Sequence, residues 1–326
     1  MAAVTRWLTA PVPLGRLAAF RTLVYLFVIA DVLAFTPWVR AHAALPAELY
    51  QPLLIGRMLP LPGPTAALVW AVLAALIVAA AVAATGRLPR LAGAAVALLY
   101  LEWMVIAFSY GKVDHDRFGL LVALAALATV GRARHGDPAR SQAAGWALRV
   151  TQLAVVATYF LAAWAKLRFG GPEWLTGGTL TWAIIRRGTW LAEALLAAPW
   201  VLVAAQIGIV AFELASPLVF VLRDRWRYAA VGFFYSFHLV SFAALTISFL
   251  PHLVAMASFL PLERVRPLRR IRSLARSAPL ARVGSRVPAR RIRQGARGGA
   301  AGHPVPIVGD PPVPGPGERP DRPELN

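Results

Sequence analysis

Of the 34 basic residues in this chain only two, Lys112 and Lys166, are lysines; the rest are arginines. The difference is chemical, because an arginine keeps its proton in a protein whereas a lysine can release one and take it back. Lys166 ends an apolar run, 145–166, in which Gln152, Tyr159 and Lys166 recur every seven residues. On a helix that spacing makes one stripe, drifting only about 20° per step. The small residues Ala162 and Ala163 between Tyr159 and Lys166 allow close helix contact. A polar stripe beneath a lysine suits a bundle interior. The competing reading is a lysine closing a helix, its stem along lipid and its ammonium among the headgroups.

The remaining candidates are acids and imidazoles. His115 lies between Asp114 and Asp116 in a polar turn, 110–119. Imidazole titrates near neutrality, so proton transfer or hydrogen bonding is expected of His115. A metal half-site there would need a second ligand set of matching spacing, which the sequence lacks, and no metal is expected. Asp116 is also placed to cap the helix that follows. Tyr235, His238 and Ser241 fall on one side of a later helix, with Ser248 seven further on. They read equally as a polar cavity lining or as hydrogen-bonded packing. His252, after Pro251, is expected to meet water at the outer boundary. Asp31, Glu102 and Glu213 lie within apolar runs, where a charge is costly and by default functional. For Asp31 and Glu213 an interhelical salt bridge is an equal reading.

The scaffold that positions these groups is not a soluble one. The chain has 326 residues, 58% of them hydrophobic, a mean hydropathy of +0.60 and a net charge of +19. Charged residues are clumped between long apolar runs, near 17–37, 65–85, 91–109, 118–131, 145–166, 199–222 and 228–262. Crossing the hydrocarbon takes about 20 helical residues. The run at 118–131 is short but can extend back through Asp116 and Arg117, and 228–262 exceeds one span and is interrupted at Pro251. The pattern predicts an all-α integral membrane protein, a polytopic helical bundle of about eight spans, the last short or re-entrant after Pro251.

Arginines sort the loops. The amino-terminal segment and the loops at 86–90, 131–144 and 223–227 carry more of them than 38–64, 110–117 and 167–198. The first set, with both termini, is expected in the cytoplasm and the protein in the cell membrane, which places His115 and Lys166 on the same outer face. Four segments follow: a cytoplasmic stretch at 1–13, the membrane domain at 14–262, an Arg-rich tail at 263–299, and a Pro/Gly-rich end at 300–326 that cannot build a core. The tail carries twelve arginines and no acid from Arg264 to Arg297. Anionic lipid headgroups are its expected partner, ahead of nucleic acid. The absence of cysteine excludes disulfides, thiol catalysis and thiolate metal sites. No P-loop, dinucleotide fingerprint, EF-hand or zincin helix is present.

Several segments together resemble the membrane core of the vitamin K-dependent gamma-carboxylases and their bacterial relatives, the horizontally transferred transmembrane (HTTM) domain proteins. YFLAAWAKL at 159–167 with WLTGGTL at 174–180 is similar to the segment carrying the family's catalytic lysine. DHDRFG at 114–119 resembles its histidine-bearing segment, and FHLVSFAALTISFLPHLVAM at 237–256 its late Phe-His helix. Arg21, Asp31 and FELASPLVF at 212–220 suit the bacterial members, and the likeness runs in order over roughly 14–262.

The resemblance implies Lys166 as a base, His115 as its hydrogen-bonding partner, and Tyr159, His238, Trp174 and Glu213 as residues holding a reduced quinone. Two departures limit it. The eukaryotic carboxylase has adjacent lysines where this chain has Ala165 and Lys166, and it has a large lumenal region that helps hold its protein substrate. The expected function is quinol-linked proton abstraction or carboxylation at the extracytoplasmic face. The alternatives are a non-catalytic quinone- or lipid-binding protein and, behind it, a proton-coupled transporter using Glu213 and His238.

Overall fold

The computed structural model describes residues 2–59 and 61–265. Most of the Arg-rich segment and all of the Pro/Gly-rich end lie outside the described residues. The helices in chain order are α1 (Ala2–Leu8), α2 (Leu14–Ala30), α3 (Leu54–Met58), α4 (Ala66–Ala84), α5 (Pro89–Phe108), α6 (Phe118–Thr129), α7 (Gln142–Thr176), α8 (Thr179–Arg187), α9 (Trp190–Glu193), α10 (Pro199–Ala215), α11 (Asp224–Leu245) and α12 (Leu250–Met256). Their starts follow local chemistry. Thr65 and Ser141 accept hydrogen bonds from Leu68 N and Ala144 N, satisfying orphan amides of α4 and α7. Pro89 and Pro199 open α5 and α10, where a missing amide costs nothing. A two-residue antiparallel ladder, Val12–Pro13 with Arg140–Ser141, ties the start of α2 to that of α7.

Among the described residues six helices are long and apolar enough to cross a membrane: Leu14–Phe35, Ala66–Ala84, Pro89–Phe108, Gln142–Thr176, Pro199–Phe220 and Arg225–Leu245. The protein is thus a multi-pass membrane protein with an all-α bundle. The fourth and eighth expected spans are shorter helices. Helix α6 has 12 residues, about 18 Å at 1.5 Å per residue, against roughly 30 Å of hydrocarbon. The last apolar helix is Leu250–Phe259.

Three local expectations are corrected. The chain breaks before Pro251: Thr246 takes the left-handed φ of 55°, ending α11, and Pro251 sits in the first turn of α12. Ser248 therefore does not continue the stripe of α11. Lys166 does not close its helix either. Helix α7 runs on for another turn and kinks at Gly171 (φ 58°), a conformation that glycine adopts freely, followed by Pro172. Asp116 does not cap α6; it lies in the 3-10 turn His115–Arg117, and its Oδ1 accepts from Arg117 Nη1 at 3.4 Å.

Two apolar clusters fill the bundle. The larger joins α2, α4, α5 and α6 around Phe20, Tyr25, Tyr100 and Trp103. The smaller joins α7, α11 and α12 around Val155, Tyr159, Phe234 and Met256. Gly119 permits the join beside the site: a Cβ there would come within 3.1 Å of Val155 and 3.3 Å of Ala255.

Candidate functional site

A cavity of about 270 Å³ opens within this second region, and the six residues that the family resemblance implied line it: His115, Tyr159, Lys166, Trp174, Glu213 and His238. Four elements supply them. The turn before α6 brings His115, α7 and its kinked end bring Tyr159, Lys166 and Trp174, α10 brings Glu213, and α11 brings His238. Phe237, Phe249, Ile209 and Leu245 make most of the remaining wall apolar.

Lys166 Nζ donates to both carboxylate oxygens of Glu213, at 2.5 and 2.6 Å. The same ammonium lies 5.2 Å from the Trp174 ring centroid, so a cation–π contact adds to the pair. The lysine side chain is 22% exposed and the glutamate 6%, which makes the amine the accessible member. Across the cavity Tyr159 Oη and His238 Nε2 are 2.6 Å apart. His238 Nδ1 and both ring nitrogens of His252 are buried without a partner among the described residues. His252 is 1% exposed, its ring 4.8 Å from Tyr159 and 5.2 Å from His238. The expectation that His252 meets water is thus overturned. The break at Thr246 folds α12 back against α6 and α7, carrying His252 inward.

The turn bearing His115 is held from behind. Arg117 Nη2 donates to Asp31 Oδ1 at 3.1 Å, Tyr100 Oη donates to Asp31 Oδ2 at 2.9 Å, and Trp103 Nε1 donates to Thr36 Oγ1 at 2.9 Å. Asp31 opens a π-helical turn, Asp31–Phe35, that extends α2. It is an interhelical tie rather than a cavity group. Burial, then the positive charge of Lys166, lowers the pKa of His115 below its ordinary value, so the ring is neutral at pH 7. Burial pushes Asp116 up to about 7, with Arg117 opposing.

Gln206, unremarked in the sequence, anchors the segment after the kink. Its Nε2 donates to the carbonyls of Trp174, Leu175 and Gly177, and its Oε1 accepts from Leu180 N. It stands seven residues before Glu213, on the same face of α10, the periodicity that could have found it. Gln152 is turned to structure as well, donating to the Ser258 carbonyl at 2.8 Å. Tyr235 donates to the Leu253 carbonyl at 2.9 Å and lines a neighbouring apolar cavity of about 370 Å³ that shares His238 and Phe249 with the first. The Glu102 carboxylate is buried apart from the site, without a partner among the described residues.

The arrangement can take an apolar, aromatic guest against ring faces, meet its polar atoms with unpartnered imidazole nitrogens, and exchange a proton with an amine–carboxylate pair. A family model, the HTTM domain, matches residues 10–263, which includes the whole span 14–262 expected for the membrane domain. No curated protein and no solved structure matches the chain.

Proposed function

Because this chain belongs to the HTTM domain family, a domain that occurs in vitamin K-dependent carboxylase-like proteins, we propose that its cavity binds a reduced quinone and abstracts a proton through Lys166. The observation that carries this reading is the Lys166–Glu213 pair set in the wall of an aromatic, largely apolar pocket. The residues fit such a guest. Phe237, Phe249 and Trp174 offer ring faces, and the buried nitrogens of His252 and the free Nδ1 of His238 offer hydroxyl partners. When bound, a reduced quinone supplies ionisable hydroxyls and, with oxygen, the strong base that carboxylase-like chemistry uses.

The chain's own part is proton handling. Lys166 is the more exposed member of the pair, and Glu213 stands behind it as the group to which the ammonium can pass a proton. An amine freed in this way accepts a proton from the guest or from a substrate beside it, and the resulting ammonium stabilises the anion left behind. His115, neutral at pH 7, is available to orient that anion or its acid. The cavity that shares His238 and Phe249 supplies an apolar route for a lipid-soluble guest. By their arginine content, the loops at 86–90 and 131–144 and both termini are assigned to the cytoplasmic side of the cell membrane, and the Arg-rich segment to anionic headgroups.

One observation favours a second reading, non-catalytic binding of a quinone or lipid: both oxygens of Glu213 are already satisfied by Lys166, as in a purely structural tie between helices. Mass spectrometry of small molecules extracted from the purified protein, followed by oxygen uptake with reduced quinone, separates the two. Quinone with uptake supports proton chemistry, and quinone without uptake supports binding alone. Neither one rejects the quinone assignment.

A further inference from the structure

Helix α6 has His115 before its first residue and a different kind of site beyond its last. There a cavity of about 570 Å³ lies between the start of α2 and the loops that follow α4 and α6. Arg21, Arg87, Arg132 and Arg134 line it, with His135 and Thr22 between them, and among the described residues no aspartate or glutamate contributes to its wall. None of the four arginines makes a salt bridge among the described residues. Arg21 is 2% exposed. Its guanidinium donates to the carbonyls of Val130 (2.9 Å), Gly131 (3.2 Å) and Leu127 (3.4 Å), the carbonyl-rich end of α6, and its Nε is buried without a partner among the described residues. His135 Nε2 is 3.0 Å from Thr22 Oγ1, which fixes the ring at the rim.

Loop arginines on one side of a membrane protein follow from the positive-inside rule. That rule asks only for charge near the bilayer. It does not account for four arginines lining one concavity, one of them buried, where their charges repel with no acid among the described residues of the wall to offset them. A bound anion removes that repulsion. The planar fork of arginine matches the oxygens of a phosphate in paired hydrogen bonds, and basic pockets between membrane helices are suited to phosphate headgroups. We propose that this cavity is a binding site for a phosphate-bearing anion, separate from the Lys166 cavity and independent of the function assigned to it.

The ligand's phosphate can belong to a lipid headgroup or to a small soluble compound, and two probes distinguish them. The full chain in neutral detergent is titrated, at constant ionic strength, with inorganic pyrophosphate and separately with dihexanoyl phosphatidic acid, and Tm is followed. The proposal expects a saturable rise in Tm with at least one probe. A response to both points to a soluble phosphate compound, and a response to the lipid alone points to a headgroup. The triple variant Arg87→Gln, Arg132→Gln, Arg134→Gln weakens the response at least about ten-fold. The charge-matched Arg57→Gln, Arg186→Gln, Arg187→Gln, exposed and lining neither cavity, changes it by less than about two-fold. If the first variant does not fold, Arg134→Gln alone replaces it, with an expected loss of about three-fold. No saturable response of the unaltered protein to either probe, or equal losses in the two triple variants, overturns the proposal.

Discussion

Lys166 and Glu213 clamp α7 to α10: one ammonium nitrogen lies 2.5 Å from one carboxylate oxygen and 2.6 Å from the other. The stripe Gln152–Tyr159–Lys166 therefore ends on the next helix and not at the headgroups. Whatever chemistry Lys166 performs, it performs it as one half of this pair.

Breaking the pair from one side strands a charge. Lys166→Met or Glu213→Gln is expected to destabilise the protein by about 2–4 kcal/mol, toward the lower end for buried pairs because the lysine is partly exposed. The double variant Lys166→Met, Glu213→Gln should cost less than the sum of the singles, with a coupling of about 1–3 kcal/mol. Unfolding of all four proteins in one detergent measures this. Strict additivity would show that the two groups are not coupled.

Gln206 is expected to hold the Trp174–Leu180 segment in place. Gln206→Leu keeps bulk and removes all four hydrogen bonds, each contributing about 0.5–1.5 kcal/mol. Hydrogen exchange should quicken over 174–182 and stay unchanged in α5. Unaltered protection across that segment would mean that the kink at Gly171 and Pro172 is self-supporting.

Asp116 makes stability depend on pH with a definite sign. Its pKa is raised by burial to about 7, above the ordinary carboxylate value. The stability it contributes is therefore fully present below about pH 4 and is lost as the pH rises toward about 7. His115 opposes it: its lowered pKa gives stability that is present above about pH 6.5 and lost as the pH falls. Comparing wild type with Asp116→Asn removes the His115 contribution, since both proteins share it. The variant's Tm relative to wild type should rise between pH 4 and pH 7 and then level off. A difference that is flat across that window would show that Asp116 ionises normally.

The site was legible in sequence wherever helical periodicity alone placed a residue. Tyr159 and Lys166 share a face because seven residues are nearly two turns, and Glu213 and His238 were visible as polar groups inside apolar runs. What the pattern did not carry was backbone direction at the breaks. Nothing in the residue type makes Thr246, a β-branched residue, the expected holder of a left-handed conformation. Yet that turn moves the end of α11 ahead of Pro251 and swings His252 from the expected boundary into the cavity. In the same way Trp174 reaches Lys166 because Gly171 bends the chain back, and Gln206 gains its role from the loop this bend creates. Length and hydropathy made the all-α bundle readable but counted about eight spans, where six described helices have the length and apolarity to cross. Helix α6 was overestimated because Asp116 and Arg117, through which the span was extended, form a 3-10 turn, and the helix starts only at Phe118.

The sharpest test of proton chemistry is Lys166→Arg. Arginine keeps the positive charge and can still hold both oxygens of Glu213, so folding and stability should stay within about 1 kcal/mol of wild type. A guanidinium does not release its proton in a protein, so it cannot pass one to Glu213 and become an acceptor. If Lys166 is the base, oxygen uptake with reduced quinone should be abolished while copurified quinone is retained. If Lys166 only clamps α7 to α10, the arginine variant should bind and react as wild type does. Stability, retained ligand and uptake are measured on the same preparation, so a folding defect cannot be mistaken for a catalytic one. Full uptake by the arginine variant would remove Lys166 from the mechanism and leave shared architecture as the content of the family relationship.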